Sequence, residues 1–273
     1  MKKWKQSLSE EHFYMLYKLL EDHPWILEKQ EALEDLWSIC NDNDKKLLII
    51  DLLDRFKLLN NKDLTPLETE IFEHILNVWK LNPDKVVFLP IADKEEMDGS
   101  IWILDSMKQK LPDNFNPKKC LNNLVHCKNV EICSEDQNLV VVDDFIGSGK
   151  KLTRKLKYVL NNTICKNIYC VCPTGMEEGI NNLQKVYPNI KFFVPLHLKK
   201  AISDFYQEKV SDKKSILQKI TEEFKLKGST HYLGVGQAEA LFSYEDRNIP
   251  NNVFPIFWGN NFNDYKTFFR RLK

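Results

Sequence analysis

The 273-residue chain has no net charge, because 39 lysines and arginines balance 39 aspartates and glutamates. No global field therefore draws it to nucleic acid or to anionic membranes, and any nucleic-acid contact has to be local or arranged by a partner. No apolar run approaches the roughly 20 residues that a membrane span needs. The opening Met1-Lys2-Lys3-Trp4-Lys5 leads into a polar amphipathic stretch rather than a secretory leader. A soluble, cytoplasmic protein with no membrane contact is expected. The seven cysteines are odd in number and form no Cys-x-x-Cys pair, which argues against a disulfide framework and a standard zinc site. Reduced thiols follow. With 11 prolines and 9 glycines the chain is not of low complexity, and 43% hydrophobic residues suffice for a real core.

Against this background one segment stands out, Leu139 to Leu152, reading Leu-Val-Val-Val-Asp-Asp-Phe-Ile-Gly-Ser-Gly-Lys-Lys-Leu. Its apolar run reads as a strand covered on both faces. Asp143 and Asp144 then fall at the carboxyl end, where open α/β sheets place ligands. Gly147, Ser148 and Gly149 leave backbone N–H groups free to face an anion, beside the N-terminus of the next helix. That helix, Lys150 to Asn162, has Leu152, Leu156, Val159 and Leu160 as its expected buried face. Its early turns carry Lys150, Lys151, Arg154, Lys155 and Lys157, which oppose the macrodipole unless an anion sits there. A Walker A loop is excluded, since its first glycine would fall at Asp144 and Lys151 replaces the metal-binding hydroxyl. No Gly-x-Gly-x-x-Gly follows the strand, so a dinucleotide fold is excluded too.

The same residues resemble the ribose-5-phosphate loop of phosphoribosyltransferases, in which an apolar strand runs into two acids, two apolar residues and a small glycine- and hydroxyl-rich loop. The resemblance implies that Asp143 and Asp144 contact the ribose hydroxyls and act as the catalytic pair. It places Phe145, Ile146, Gly147, Ser148, Gly149, Lys150 and Lys151 along the sugar phosphate. The chain departs from the pattern at Gly147, where many members have Asp or Ala and several use the Asp as an acid/base. It departs again at Lys151, where Thr is usual. In this form the segment is more similar to the divergent phosphoribosyltransferase-like domains of prokaryotic conflict systems, some of them in retron-type reverse transcriptase operons. Pro250-Asn251-Asn252-Val253-Phe254-Pro255-Ile256-Phe257-Trp258, preceded by the Gly234/Gly236 segment, resembles the tail of those domains. Asn251 and Asn252 are expected to orient a loop there, and Phe254, Phe257 and Trp258 to pack.

The implied fold is α/β, a phosphoribosyltransferase-like parallel sheet flanked by helices over residues 83–273, with an all-helical N-terminal extension over residues 1–82. Within the extension, Ser7-Leu8-Ser9-Glu10 reads as a capping box before a face of Phe13, Leu16, Tyr17 and Leu20. His23-Pro24 opens a second helix, and a third runs from Asp44 to Leu59. Thr65-Pro66 starts a fourth that ends near Asn82-Pro83. Lys85 to Pro90 is the first strand, and the resemblance brings the following loop, Ile91 to Ser100, to the diphosphate, with Lys94 and Ser100 as contacts. The acids of that loop suit a diphosphate only if Mg²⁺ bridges them. Mg²⁺ is accordingly the implied cofactor, held mainly by ligand phosphates, with no residue assigned as its ligand. Strands near Ile168–Cys172 and Ile190–Val194, helices over Met176–Tyr187 and Asp212–Lys227, and a Gly228 C-cap complete the alternation. Thr174-Gly175 is read as a base-contacting loop, with Glu177 and Glu178 complementing a helix dipole. His197 and His231 are read as structural.

Two functions stay open. In one, the chain is an antiviral-defence effector that binds a ribose-5-phosphate-containing nucleotide and makes or breaks its C1 bond, as a phosphoribosyltransferase or a glycosidic-bond-cleaving enzyme. In the other it is a catalytically inactive nucleotide sensor acting through a protein partner. The resemblance implies a partner from a defence operon, such as a reverse transcriptase–nucleic acid complex.

Overall fold

The computed structural model describes residues 10–94, 98–226 and 231–271. Three helices come first, α1 (Glu10–Asp22), α2 (Gln30–Ile39) and α3 (Asn43–Asp54), then strand β1 (Lys57–Leu59) and helix α4 (Asn61–Glu73). The middle of the chain alternates β2 (Val86–Pro90), α5 (Gly99–Lys108), β3 (Asn138–Val142), β4 (Phe145–Ile146) and α6 (Lys150–Asn162). It continues through β5 (Asn167–Val171), β6 (Thr174–Met176), α7 (Glu177–Val186), β7 (Lys191–Phe193) and β8 (Leu196–Leu198), and ends with α8 (Val210–Phe224) and β9 (Phe242–Tyr244). The described residues gather into two compact units, residues 59–199 and the segments before Leu59 and from Lys200 onward.

In the 59–199 unit, β2, β3, β5 and β7 form a wholly parallel sheet in that order. The runs Val86–Pro90 and Leu139–Val142 are buried throughout, as expected of strands covered on both faces. On one face, Val87, Leu89, Leu139 and Val141 share a core with Leu152, Leu156 and Val159 of α6 and with Ile180 and Leu183 of α7. The fold is therefore α/β with parallel sheets flanked by helices, as the sequence implies.

The sheet has a step that periodicity did not reveal. Each of β3, β5 and β7 stops, skips two residues and resumes as β4, β6 and β8, which pair in parallel as a second, shorter tier. The skipped pairs are Asp143-Asp144, Cys172-Pro173 and Val194-Pro195. Two contain proline, which has no N–H to donate to a ladder. The step is stitched by Asp143 N to Val171 O, Cys172 N to Phe193 O and Leu196 N to Pro173 O, each 3.2 Å. The two acids thus sit on the line where all three strands break. Thr174-Gly175, expected as a loop, is instead part of β6.

Other expectations change in detail. The first 80 residues are not wholly helical, since β1 interrupts them and pairs with β9. The fourth helix starts at Asn61 rather than at Thr65, because Asn60 and Asp63 form a reciprocal capping box ahead of it. Pro66 lies inside this helix, forfeiting one backbone bond. The second helix opens as a 3₁₀ turn, Pro24–Lys29, before α2. In α1 the buried residues are His12, Leu16 and Leu19, whereas Phe13 and Tyr17 are exposed. That helix is apolar on two sides, so periodicity alone could not choose between them. Leu160 of α6 is exposed as well, lying one residue beyond the stripe set by Leu152, Leu156 and Val159. Ser7–Ser9 of the expected first cap, Glu95, Glu96 and the Gly228 cap lie outside the described residues. All seven cysteines are free and buried.

In the unit formed by the chain's two ends, α3 packs on α8, with buried Lys45 bonded to Glu223 at 2.9 Å. Trp25, Phe56, Phe257, Phe268 and Phe269 form a connected aromatic cluster, with Phe56 and Phe269 stacked at 4.9 Å. Asn251 O accepts from Val235 N, Asn252 Nδ2 donates to Val235 O, and Asn252 O accepts from Ala240 N. The asparagine pair therefore holds the 234–240 loop by its backbone. Gly234 has φ of +77°, and a Cβ there would lie 2.0 Å from Asn252 O. Gly234→Ala is expected to cost at least about 2 kcal/mol of stability, measurable as a lower urea midpoint in chemical denaturation.

Candidate functional site

The step between the two tiers presents Asp143 and Asp144 at the carboxyl end of β3, the edge where open α/β sheets bind ligands. A third acid joins them from a different element. Asp98 caps α5, accepting a hydrogen bond from Ser100 N at 2.9 Å. Asp98, Asp143 and Asp144 each offer a carboxylate oxygen within 4.8 Å of the others. Between them lies the Lys151 ammonium, 2.9 Å from Asp98 Oδ2, 3.3 Å from Asp143 Oδ1 and 3.7 Å from Asp144 Oδ1. Asp143 Oδ1 also accepts the Asp144 N–H at 2.9 Å. The acids can approach α5 this closely because residue 99 is glycine, where a Cβ would fall 2.0 Å from Asp144 Oδ2.

Burial sets the electrostatics of this cluster. Asp143 is 1% exposed. Its desolvation pushes the pKa well above the ordinary aspartate value, Lys151 pulls it back, and Asp144 and Asp98 push it up further. Desolvation also opposes ionisation of Asp98, but Lys151 and Ser100 together hold its pKa below the ordinary value. Burial works against the Lys151 ammonium, yet the three acids raise its pKa above that of a free lysine. The Lys151 ammonium thus sits among acids of unlike tendency, Asp143 held toward its protonated form and Asp98 toward its ionised form.

Asp143 gives a pH prediction. Between its unfolded and its raised folded pKa the native state holds the proton and the unfolded state does not, so stability falls as pH rises through that window. Asp143→Asn removes this contribution. The variant's melting temperature should therefore rise relative to wild type as pH increases from about 4. A constant offset across that pH series would contradict the assignment.

Beyond the acids, β4 leads into the glycine loop. Phe145 and Ile146 are buried and pair with Thr174 and Gly175, so they fix the loop as core residues. Gly147 is buried, Ser148 half-buried, and Gly149 takes φ of +79° as the N-cap of α6, with no side-chain capping bond. That leaves the N-terminal N–H groups of α6 without a side-chain acceptor, the usual setting for a bound anion. Behind the loop stands α7. A Cβ on its Gly179 would lie 2.0 Å from Gly147 O and 3.2 Å from Gly149 N. Backbone thus packs directly on backbone there.

The sequence-derived residues separate into groups. Asp143, Asp144 and Lys151 come together, but Lys151 turns to the acids rather than to the loop. Buried Lys155 pairs with Asp93 at 2.7 Å. Two of the cations that oppose the helix dipole are therefore matched by the chain's own carboxylates, and the basic helix start is not in itself a sign of phosphate. Lys150 and Lys94 are exposed. Ser100 is buried next to Asp98, close enough to lower that acid's pKa, while its hydroxyl reaches no partner in hydrogen-bonding geometry. Glu177 and Glu178 occupy the first turn of α7, and His197 and His231 are exposed.

Sequence reasoning placed Asp98 among the acids of the diphosphate loop and Thr174 in a base-contacting loop, but it missed Asp98 as a partner of Lys151 and missed Gly179 altogether. Asp98-Gly99-Ser100 carries a legible helix-cap signal that was available. The buried Thr174 hydroxyl, which has no hydrogen-bond partner, and the Gly179 contact depend on the sheet step and on helix packing, which no local pattern reports.

No described helix is long and apolar enough to cross a membrane. The chain is 21% identical over 175 residues to a uracil phosphoribosyltransferase of Alkaliphilus metalliredigens, covering 63% of this chain and 83% of that protein. It is 23% identical over 181 residues to a uracil phosphoribosyltransferase of Clostridium beijerinckii, covering 65% and 86%. Among solved structures, the AQ2163 protein from Aquifex aeolicus aligns with 16% identity and a TM-score of 0.34, covering 65% of this chain and 85% of that one. The PRTase-CE family model matches residues 39–271, and with its strand-end acids, glycine loop and parallel sheet this phosphoribosyltransferase-like chain belongs to the PRTase-CE family.

Proposed function

We propose that the chain binds the ribose 5-phosphate part of a nucleotide or related compound and makes or breaks the bond at its C1. The observation that carries this reading is the spacing of the two halves of the site. Strand β4 is only two residues long, which sets the Asp143-Asp144 pair and the Gly147–Gly149 loop about 10 Å apart along the chain. One sugar phosphate can reach both. The acids accept hydrogen bonds from the ribose hydroxyls, and the loop backbone, Ser148 and the α6 N-terminus hold the phosphate. Chemistry at C1 passes through an oxocarbenium-like state, which needs a held phosphate, oriented hydroxyls and nearby negative charge more than a covalent partner. Asp143 and Asp144 supply that charge.

Asp98, Asp143 and Asp144 also suit Mg²⁺, since three carboxylate oxygens within 4.8 Å are the hard donors it prefers. Bound there, Mg²⁺ would offset the repulsion between these acids and a phosphorylated ligand.

The tail from Pro250 to Trp258 and the family membership favour a role as an effector of an antiviral defence system, of the retron-associated kind, acting with a protein partner. Nucleotide depletion or modification would be its output. Gly147, which stands where several phosphoribosyltransferases use an Asp as acid/base, favours a second reading. In it the same pocket senses a nucleotide without turning it over.

Incubation of the purified protein with a pooled nucleotide extract, followed by mass spectrometry, separates the two readings. Loss of one nucleotide with release of a base or transfer of its ribosyl group supports the enzyme. Retention of one nucleotide unchanged, with and without the operon partners, overturns the enzyme and leaves the sensor.

A further inference from the structure

Lys151 occupies the place in the acid cluster that a bound cation would take. Its ammonium lies within 3.7 Å of all three carboxylates, yet its side chain is 42% exposed and so has a way out to solvent. Three acids around one ammonium present more carboxyl oxygens than that ammonium alone can satisfy. Ser100, buried beside Asp98 with no hydrogen-bond partner for its hydroxyl, adds an unused oxygen at the same place. Lys151 also belongs to the first turn of α6, directly after the Gly147–Gly149 loop. A lysine stem spans several Å, so an ammonium leaving the acids stays within reach of an anion held at that loop.

We propose that Lys151 is an exchangeable internal cation, which a divalent metal displaces from Asp98, Asp143 and Asp144 when a phosphorylated ligand offers the ammonium a second anion. The proposal rests on the reading that the loop takes a sugar phosphate. It makes metal and phosphate binding mutually dependent. Metal alone must compete with a tethered ammonium, whereas metal arriving with phosphate leaves that ammonium paired. The free protein keeps its acids neutralised without metal, and the metal site opens only when there is something to act on.

The test is a titration with Mn²⁺ alone, following free Mn²⁺ by electron paramagnetic resonance, on wild type and Lys151→Gln. The variant is expected to bind Mn²⁺ roughly tenfold or more tightly, because a unit charge a few Å from the ion has been removed. Ribose 5-phosphate should tighten Mn²⁺ binding to wild type and change Lys151→Gln much less. Mn²⁺ should also raise the melting temperature of the variant more than that of wild type. Equal or weaker Mn²⁺ binding by Lys151→Gln overturns the proposal, and so does the absence of Mn²⁺ binding by both proteins. The sugar-phosphate reading is judged separately, by metal-free titration with ribose 5-phosphate. Should Lys151→Gln not fold, Asp98→Asn and Asp98→Asn/Lys151→Gln take the same comparison, with the same order of affinities expected and the same reversal overturning the proposal.

Discussion

Gly179→Ala should lower affinity for ribose 5-phosphate by roughly tenfold or more while leaving the sheet core intact. The residue contacts no ligand atom in the proposed binding mode. Its effect arises because the first turn of α7 rests on the glycine loop, where an added methyl would sit 2.0 Å from Gly147 O. Neither side is the flexible end of a side chain, so backbone must move. Both sides are anchored, α7 by Ile180 and Leu183 and the loop's flanks by Ile146 and Leu152, so the strain falls on the short backbone between those flanks. Displacement of the loop carries its N–H groups away from the phosphate position, and hydrogen bonds to a charged group are lost steeply with geometry. Isothermal calorimetry with ribose 5-phosphate checks the affinity, and thermal melting checks the fold. Unchanged affinity in a folded Gly179→Ala protein would show that the loop is not the phosphate-binding element.

Asp144→Asn should reduce the same affinity by about 10- to 100-fold, the cost of one or two hydrogen bonds to a charged acceptor. Asparagine keeps the size of the side chain beside Gly99, and residue 144 is only half-buried, so the fold should survive. What it loses is charge and one acceptor towards the ribose hydroxyls. The loss should be much smaller for inorganic phosphate, which touches only the loop. A variant that binds both ligands as wild type does would remove Asp144 from the site.

The sequence made the strand-end acids and the loop legible because both are local. Four apolar residues, two acids and a glycine-rich turn lie within one stretch of chain, and their order dictates a strand, its end and a helix start. Helix α6 was delimited correctly from Lys150 to Asn162 for the same reason. The sheet step was not legible, because Pro173 and Pro195 act together with Asp143-Asp144 only once three strands are in register. From sequence, Asp98 is only one of the acids of the loop after the first strand, since its contact with Lys151 is set by tertiary packing across 53 residues of sequence. The resemblance assigns Lys151 to the phosphate. Only the geometry reveals that the acids already hold it.

The most direct test of the central claim is the calorimetric comparison of ribose 5-phosphate with inorganic phosphate and with ribose on the wild-type protein. If acids and loop bind opposite ends of one ligand, ribose 5-phosphate should bind at least about tenfold more tightly than either fragment. Equal affinity for ribose 5-phosphate and inorganic phosphate would contradict the account, because Asp143 and Asp144 would then contribute nothing to recognition.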